Sequence, residues 1–251
     1  MRPDKKAQVS LLGTGRNDSL PASTEKGADM EFHRLFGQFM MKFVAGNRNP
    51  KLLEGKKRIA CVGDSITFGH GVHGKTEETW EYYLNSILGD AIQVINYGAS
   101  GRTLQKEGDY PYTEDRLFRR SLECGAEVVL ILLGTNDAKP FSRDRERFER
   151  NYEAFVRRYT DLPNAPRVIV MTPPQVYGAD GHGVAAFGIH TEILERNIVE
   201  AVKDTAKKMN LQMIDLHEYT KDHPEWFTDG VHPNAAGNRA FAKRIAEELN
   251  L

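Results

Sequence analysis

The chain has 251 residues, which is enough to bury a substantial core and predicts one or two domains. Its 34 lysines and arginines almost balance 35 aspartates and glutamates, and the formal net charge of −1 argues against a broad surface for a nucleic-acid or membrane partner. No apolar run approaches the roughly 18 residues of a membrane helix, and the isolated cysteines, Cys61 and Cys124, exclude a disulfide framework and a cysteine-built zinc site.

The N-terminal region, residues 1–57, differs from the rest of the chain. Residues 1–28 are polar without a hydrophobic period, as in a loose arm or an artificial leader, and their lack of an apolar signal segment predicts a cytoplasmic protein. Apolar side chains spaced by three and four between 32 and 44 then predict an amphipathic helix. Its apolar stripe covers an edge of the main domain or, alternatively, joins two copies in a homo-oligomer through residues 31–45. Residues 47–57 are a predicted linker.

Residues 58–251 alternate short apolar runs with longer helical patterns. The runs, predicted as strands, are 58–63, 92–97, 128–133, 167–171 and 212–216, and the predicted helices are 79–88, 113–123, 143–159, 191–209 and 235–249. The run at 128–133 is apolar on both strand faces, as a parallel strand covered by helices on both sides must be. Five β/α units therefore predict an α/β fold of three α/β/α layers around a doubly wound, five-stranded parallel sheet.

Glycine and polar residues follow the predicted strands where ligands bind in such a sheet, because loops and helix N-termini converge at the carboxyl ends of parallel strands. The segments are Gly63-Asp64-Ser65-Ile66, Asn96-Tyr97-Gly98-Ala99-Ser100-Gly101, Gly134-Thr135-Asn136-Asp137 and, before the last helix, Asp229-Gly230-Val231-His232-Pro233. Each segment alone is also typical of a plain turn or a helix cap. The combination of all four at one end of one sheet points to catalysis.

Acyl transfer by a serine explains the residue types in these segments. A serine hydroxyl is a weak nucleophile, so it needs a base and a third group that orients the base. Ser65, His232 and Asp229 can fill these roles, since Asp229 precedes the histidine by only three residues. The oxyanion also needs preorganised donors, which the Ser65 amide, the Gly98 amide and the Asn136 side chain would supply. Glycine would allow the substrate to approach closely.

The four segments resemble, in order, the sequence blocks of the GDSL-type or SGNH hydrolases, with Ile66 where the family name has leucine. The resemblance extends from residue 58 to residue 249. It implies a flavodoxin-like SGNH fold and no cofactor. It also implies that Ser65 is the nucleophile and an oxyanion donor, that Gly98 and Asn136 complete the oxyanion hole, and that Asp229 and His232 complete the triad.

Within that superfamily, residues 98–104 and 108–112 are similar to bacterial carbohydrate O-acetylesterases of the sialate O-acetylesterase and acetylxylan-esterase-related type. The similarity implies a serine esterase that removes acetyl or other small acyl groups from a small-molecule or oligosaccharide ester. An acyl-thioesterase or lysophospholipase with the same triad is the alternative, because the apolar residues 32–44 would line a groove for a long chain. A carbohydrate-binding protein without activity and a metal-dependent hydrolase are further alternatives.

Substrate contacts are predicted from polar and aromatic residues near the segments above. The candidates are Asp64, Arg102, Tyr110 and His182, together with Trp80, for which core packing is the better assignment. For Arg102 the alternative is an ion pair with Asp109 or another surface acid. Residues 177–188 are rich in glycine and alanine and form either a mobile loop over the pocket or an ordinary surface loop.

A metal site is not expected. Asp64 and Asp137 are acids of one predicted cleft, and His70 and His73 are near the first of them in sequence. Their spacing matches no specific ligand motif, and capping of loops explains the two acids equally well.

Overall fold

A computed structural model describes residues 50–72, 76–178 and 183–250. The predicted helix at 32–44, His73 and His182 lie outside the described residues. The described part of the predicted linker is bound to the edge of the sheet. The Leu53 N–H donates to Gln93 Oε1 at 2.9 Å, and Gln93 Nε2 donates to the Lys51 carbonyl at 2.7 Å. Within the described ranges, no helix combines the length and the apolar character needed to cross a bilayer.

The centre of the fold is a parallel sheet of five strands in the order β2-β1-β3-β4-β7. A separate antiparallel pair is formed by β5 and β6. The strands are β1 (Lys57–Gly63), β2 (Ile92–Gly98), β3 (Val128–Leu132), β4 (Arg167–Met171), β5 (Val184–Ala185), β6 (Ile189–His190) and β7 (Gln212–Ile214). The order of the large sheet is that of flavodoxin-like folds, in which ligands bind at the switch point between the first and third strands. The predicted five-stranded, flavodoxin-like sheet is confirmed.

Helices cover both faces of this sheet. They are α1 (Ser65–Phe68), α2 (Trp80–Leu88), α3 (Arg116–Glu123), α4 (Arg145–Thr160), α5 (the successive segments Thr191–Ile193, Leu194–Val199 and Glu200–Lys208), α6 (Leu216–Tyr219) and α7 (Ala235–Leu249). Alternate side chains of β3 face opposite ways: Val129 and Ile131 pack with α3, α4 and α5, whereas Leu130 packs with α2 and α7. The predicted three layers are therefore present, and burial on both faces explains why β3 is apolar throughout.

Side-chain caps set where the helices begin. Asp115, Asp144 and Asn234 accept backbone N–H groups at the first turns of α3, α4 and α7. The last predicted strand is two residues too long, because Asp215 caps α6 and takes the chain out of the sheet after Ile214. The short pair β5 and β6 was not predicted, since two-residue strands leave no detectable alternation in a sequence.

Candidate active site

The turn after β1 carries Ser65 at the first position of α1. Asp64 caps this short helix, and its side chain accepts the Ile66 N–H at 2.9 Å. The helix lies directly on the strand ends: a Cβ on Gly63 would stand 2.1 Å from Thr67 Oγ1, and a Cβ on Gly98 would stand 2.3 Å from the Phe68 nitrogen. Both glycines are required because only a bare backbone allows this approach.

Three side chains form a continuous hydrogen-bonded chain beside that turn. Ser65 Oγ lies 2.8 Å from His232 Nε2, and His232 Nδ1 lies 2.7 Å from Asp229 Oδ2. The serine and the histidine are only 8 % and 3 % exposed. Burial from water strengthens the interaction between the imidazole and the carboxylate. The arrangement is that of a serine activated by an oriented base.

The loop before α7 fixes the histidine and its carboxylate together. Asp229 Oδ1 accepts the Val231 and His232 N–H groups at 3.0 and 2.8 Å, and the Thr228 N–H donates to the His232 carbonyl at 3.0 Å. The cap of α7 is Asn234. The alternative assignment of the Asp229 segment as a simple helix cap is therefore wrong.

The pKa values of His232 and Asp229 are each set by burial and by the hydrogen bond between the two side chains. Burial lowers the pKa of His232 below its ordinary value, although the hydrogen bond and charge of Asp229 act in the opposite direction. Burial alone would raise the pKa of Asp229, but hydrogen bonds from the His232 side chain and backbone outweigh it and bring that pKa below its ordinary value. At neutral pH the imidazole is thus a neutral base that accepts a proton, and the aspartate is charged.

The predicted oxyanion donors require one correction. The Gly98 N–H donates to Asn96 Oδ1 at 2.8 Å, so it is already satisfied, and the closest backbone at this glycine is α1 rather than a substrate. Three residues later, Gly101 has a left-handed φ of 71°. Its N–H has no acceptor among the residues that the structure describes. The Ser65 N–H starts α1, where an amide has no acceptor within the helix.

Asn136 lies against the same loop. Its Nδ2 donates to the Arg102 carbonyl at 3.1 Å, which brings the side chain next to Gly101 and leaves its second N–H hydrogen available. Asp137 ties the loop down further, because its carboxylate accepts the Leu104 and Gln105 N–H groups at 2.8 and 2.9 Å. The turns after β2 and β3 are therefore held as one unit.

Asp64 and Asp137 are both fully buried. Burial raises the pKa of each to about 7; hydrogen bonds from backbone N–H groups oppose the rise, and the charge of Asp64 adds to it for Asp137. Asp64 Oδ2 has no hydrogen-bond partner in the described part of the chain. The structure gives Asp64 a role in positioning α1 and does not support the predicted contact with substrate.

Arg102 is also buried, with 6 % exposure. Its Nε and Nη2 donate to Asp115 Oδ2 at 2.9 and 2.7 Å, so its partner is Asp115, whereas Asp109 pairs with Lys139. This geometry does not support the predicted substrate contact of Arg102. It supports the alternative of an ion pair with an acid, which is Asp115 and not Asp109.

The two aromatic candidates for substrate contact lie in different surroundings. Tyr110 is half-buried, with the guanidinium of Arg102 5.9 Å from its ring centroid. Trp80 has no exposed surface and packs in the core, as its helical position indicated.

Two rings that the sequence did not assign to the site pack against His232. The centroid of His70 lies 4.5 Å from that of His232, and the centroid of Phe187 lies 5.3 Å from it. Phe187 has 58 % of its surface exposed and a left-handed φ of 61°. The only available signal was that Phe187 falls within the glycine- and alanine-rich stretch after β4, and no motif marked the phenylalanine itself.

Residues 50–72, 76–178 and 183–250 contain no group of three histidine, cysteine, aspartate or glutamate side chains placed to hold a metal ion. The thiols of Cys61 and Cys124 are free and buried, and burial raises the pKa of each above its ordinary value. The Ser65 hydroxyl is therefore the best-supported nucleophile among the described residues.

Comparison with known proteins assigns the chain to a family. Residues 61–240, which include the whole serine–histidine–aspartate arrangement, match the GDSL-like lipase/acylhydrolase family. The chain belongs to that family. The family resemblance drawn from the four sequence segments is confirmed.

Several relatives of this GDSL-like chain carry esterase names. It is 30 % identical over 211 residues to an acetylxylan esterase of Xylanibacter ruminicola, covering 76 % of this chain and 43 % of that protein. Among solved structures, a carbohydrate acetylesterase from Sinorhizobium meliloti is 22 % identical with a TM-score of 0.61, covering 78 % of this chain and 99 % of that one. An aryl esterase of M. smegmatis is 24 % identical with a TM-score of 0.59, covering 77 % and 98 %. The chain spans less than half the length of the curated relatives it matches.

Proposed function

We propose that this GDSL-like chain is a serine esterase that removes small acyl groups, chiefly acetyl, from hydroxyl groups of carbohydrates. The observation that carries the proposal is the hydrogen-bonded chain from Ser65 Oγ through His232 to Asp229, with distances of 2.8 and 2.7 Å. The acetyl group and the carbohydrate are suggested by the names of the relatives, an acetylxylan esterase and a carbohydrate acetylesterase.

In the proposed first half-reaction, Ser65 Oγ attacks the ester carbonyl carbon while His232 Nε2 takes the hydroxyl proton. Asp229 stabilises the resulting imidazolium. The carbonyl oxygen becomes an oxyanion, for which we assign the Ser65 N–H, the Asn136 side chain and the Gly101 N–H as donors, the last replacing Gly98. Collapse of this intermediate breaks the bond to the alkoxide, which takes the proton from His232 and leaves as the free sugar hydroxyl.

The second half-reaction releases the acyl group. Water attacks the acyl carbon of the Ser65 ester and gives its proton to His232 Nε2. The second oxyanion uses the same donors, and its collapse returns the proton to Ser65 Oγ and liberates the carboxylic acid. Proton transfer and oxyanion stabilisation thus both come from side chains and backbone of this chain.

Release of acetate from acetylated xylo-oligosaccharides and acetylated sialic acids tests the proposal, with Ser65→Ala as the inactive reference. Wild-type protein should liberate acetate and react covalently with a serine-directed fluorophosphonate. Failure to label or to hydrolyse any acetyl ester would favour the binding-protein alternative. Loss of turnover on treatment with EDTA would instead indicate the metal-dependent alternative.

Acyl-chain length separates the proposal from the thioesterase and lysophospholipase alternative. A site for small acyl groups should hydrolyse p-nitrophenyl acetate with a higher kcat/KM than p-nitrophenyl octanoate. The reverse order, or a preference for acyl thioesters, would support the alternative activity with the same triad.

The remaining predictions concern the whole protein. We propose that residues 58–251 form the catalytic domain, which limited proteolysis before residue 50 would test. A homo-oligomer through residues 31–45 can be examined by light scattering of protein with and without that segment. Fractionation of the source cells checks the predicted cytoplasmic location.

A further inference from the structure

The rings of His70 and Phe187 pack against His232. They support an inference that rests on the proposed esterase function and extends it to the choice of substrate. We propose that Phe187 forms the platform on which the sugar ring of the substrate stacks during deacetylation. The three observations behind it are the contact of Phe187 with His232, its large exposed surface, and its position at the tip of an anchored hairpin.

The contact with His232 determines which part of an ester Phe187 faces. His232 Nε2 must protonate the departing alkoxide, so the alcohol portion of the substrate lies on the side of the imidazole. The oxyanion donors after β2 and β3 instead face the carbonyl oxygen. Phe187 packs its ring at 74° to the His232 ring, with centroids 5.3 Å apart, and therefore borders the alcohol portion.

The exposure of Phe187 leaves a surface for that alcohol to contact. With 58 % of its surface exposed, it is the most exposed of the large hydrophobic side chains in the described ranges. The imidazole of His70 lies beside it, with ring centroids 6.4 Å apart at 88°. A pyranose presents axial C–H groups from one face, and an aromatic ring is the side chain suited to cover such a face.

The hairpin built from β5 and β6 holds the phenylalanine in place. The His190 N–H donates to the Ala138 carbonyl at 2.7 Å, which ties the hairpin to the turn that carries Asn136. At its base, the Thr191 N–H donates to the Gly183 carbonyl at 2.9 Å. Ala185 and Ile189 are buried, which anchors both strands, whereas Phe187 at the tip is exposed.

The backbone at the tip is also unusual for a phenylalanine. Its φ of 61° and ψ of 19° lie in the left-handed region that bulky residues rarely adopt. Such a conformation persists only where surrounding contacts determine it, and it commonly occurs at functional sites. Here the result is a ring directed at His232.

The test compares two acetyl esters that differ only in the alcohol: a methyl mono-O-acetyl-xylopyranoside and ethyl acetate. The main variant is Phe187→Asn, because asparagine tolerates the left-handed conformation while removing the ring. We expect the ratio of kcat/KM for the xyloside to kcat/KM for ethyl acetate to fall roughly 10-fold, chiefly through KM, the size expected for one lost aromatic contact. Phe187→Tyr keeps the ring and should keep the ratio.

Val184→Ala is the matched control, since Val184 is an exposed residue of the same hairpin and carries no aromatic ring. It should leave the ratio unchanged. An unchanged ratio in Phe187→Asn, or an equal loss in Phe187→Tyr, would overturn the inference. So would a gain in activity on ethyl butanoate relative to ethyl acetate, because that result would place Phe187 against the acyl group.

The outcomes also distinguish this inference from the proposed function. Wild-type protein that hydrolyses neither acetyl ester would contradict the esterase proposal, and the platform would fall with it. Wild-type protein that hydrolyses both, with a ratio that is insensitive to the ring at position 187, would contradict the platform alone.

Discussion

The rings of His70 and His232 lie 4.5 Å apart between centroids, with their planes tilted by 49°. A positive charge on one ring disfavours a positive charge on the other. Burial is the larger reason that the pKa of His232 is lowered, and His70 lowers it further. The ring pair therefore links an exposed histidine to the protonation state of the general base.

The first prediction is that His70→Gln shifts the pH profile. His232 acts as a base only when neutral, so kcat/KM falls as the pH drops through its pKa, which in the wild type lies below the usual value of about 6.5. Replacing His70 removes its lowering effect on the His232 pKa, so this pKa should rise and the acid limb should move to higher pH. His223→Gln removes an exposed histidine that pairs with Glu225 and should leave the limb in place. A limb that stays fixed in His70→Gln would contradict the electrostatic link.

The second prediction concerns the nucleophile. Ser65→Ala should reduce kcat for p-nitrophenyl acetate by about 10³- to 10⁶-fold and abolish fluorophosphonate labelling, with an unchanged melting temperature. Ser86→Ala, a change on an exposed part of α2, is the matched control and should retain both properties. Full turnover by the Ser65 variant would rule out the proposed mechanism.

The third prediction separates Gly101 from Gly98 as the backbone donor. Binding of a phosphonate to Ser65 imitates the oxyanion, and a new hydrogen bond changes the amide resonance of the donor. The Gly101 amide resonance should shift strongly on phosphonylation, whereas that of Gly98 should move little because its N–H already donates to Asn96. A large shift at Gly98 alone would restore the donor expected from the sequence.

The fourth prediction concerns the side-chain donor. Asn136→Ala should lower kcat by roughly 10²- to 10³-fold with a smaller change in KM, as expected for a group that acts mainly in the transition state. Asn151→Ala, on the exposed side of α4, is a suitable reference. A rise in KM with no change in kcat would instead indicate that Asn136 contributes to ground-state binding.

The fifth prediction uses the buried carboxyls. Their pKa values of about 7 in the folded protein exceed the usual unfolded value of about 3.9. The folded state therefore binds more protons than the unfolded state between these two pH values. The contribution of both groups to the free energy of unfolding is complete below about pH 4 and is lost as the pH rises through about 7. Asp64→Asn keeps the cap of α1 but removes one charge. The free energy of unfolding of Asp64→Asn, relative to that of the wild type, should therefore increase as the pH rises from about 5 to about 8.

Asp137→Asn is the contrasting variant for the same measurement. Both oxygens of Asp137 accept backbone N–H groups. In the asparagine variant, the side-chain NH2 would therefore replace one acceptor and lie against one of these backbone N–H donors. This mismatch should cost about 1–3 kcal/mol of unfolding free energy. Urea unfolding of both variants at the two pH values decides the matter. Equal destabilisation by Asp64→Asn and Asp137→Asn would contradict the expected difference in hydrogen bonding between the two carboxyls.

The sequence predicted most of the fold because β1, β3 and β4 are buried over most of their length and therefore appear as apolar runs. It also indicated that Ser65 would meet His232, since both fall at the carboxyl ends of the same sheet. The sequence could not show that the Gly98 N–H already has an acceptor, because the acceptor of a backbone N–H depends on how the loop turns. Asn96, two residues earlier, folds back to accept it.

The contacts of His70 and Phe187 with His232 could not be predicted from the sequence. His70 and Phe187 come from separate loops with no periodic pattern, and only tertiary packing brings them together. The partner of Arg102 depended in the same way on the loop path, which puts Asp115 rather than Asp109 beside the guanidinium.

The hairpin around Phe187 begins and ends at one point, since both the N–H and the hydroxyl of Thr191 bind the carbonyl of Gly183. A segment whose two ends meet can be exchanged for another of different length without moving the sheet on either side. Residues 183–191 can therefore be varied as one unit, whereas Ser65, Asp229 and His232 lie on other segments of the chain.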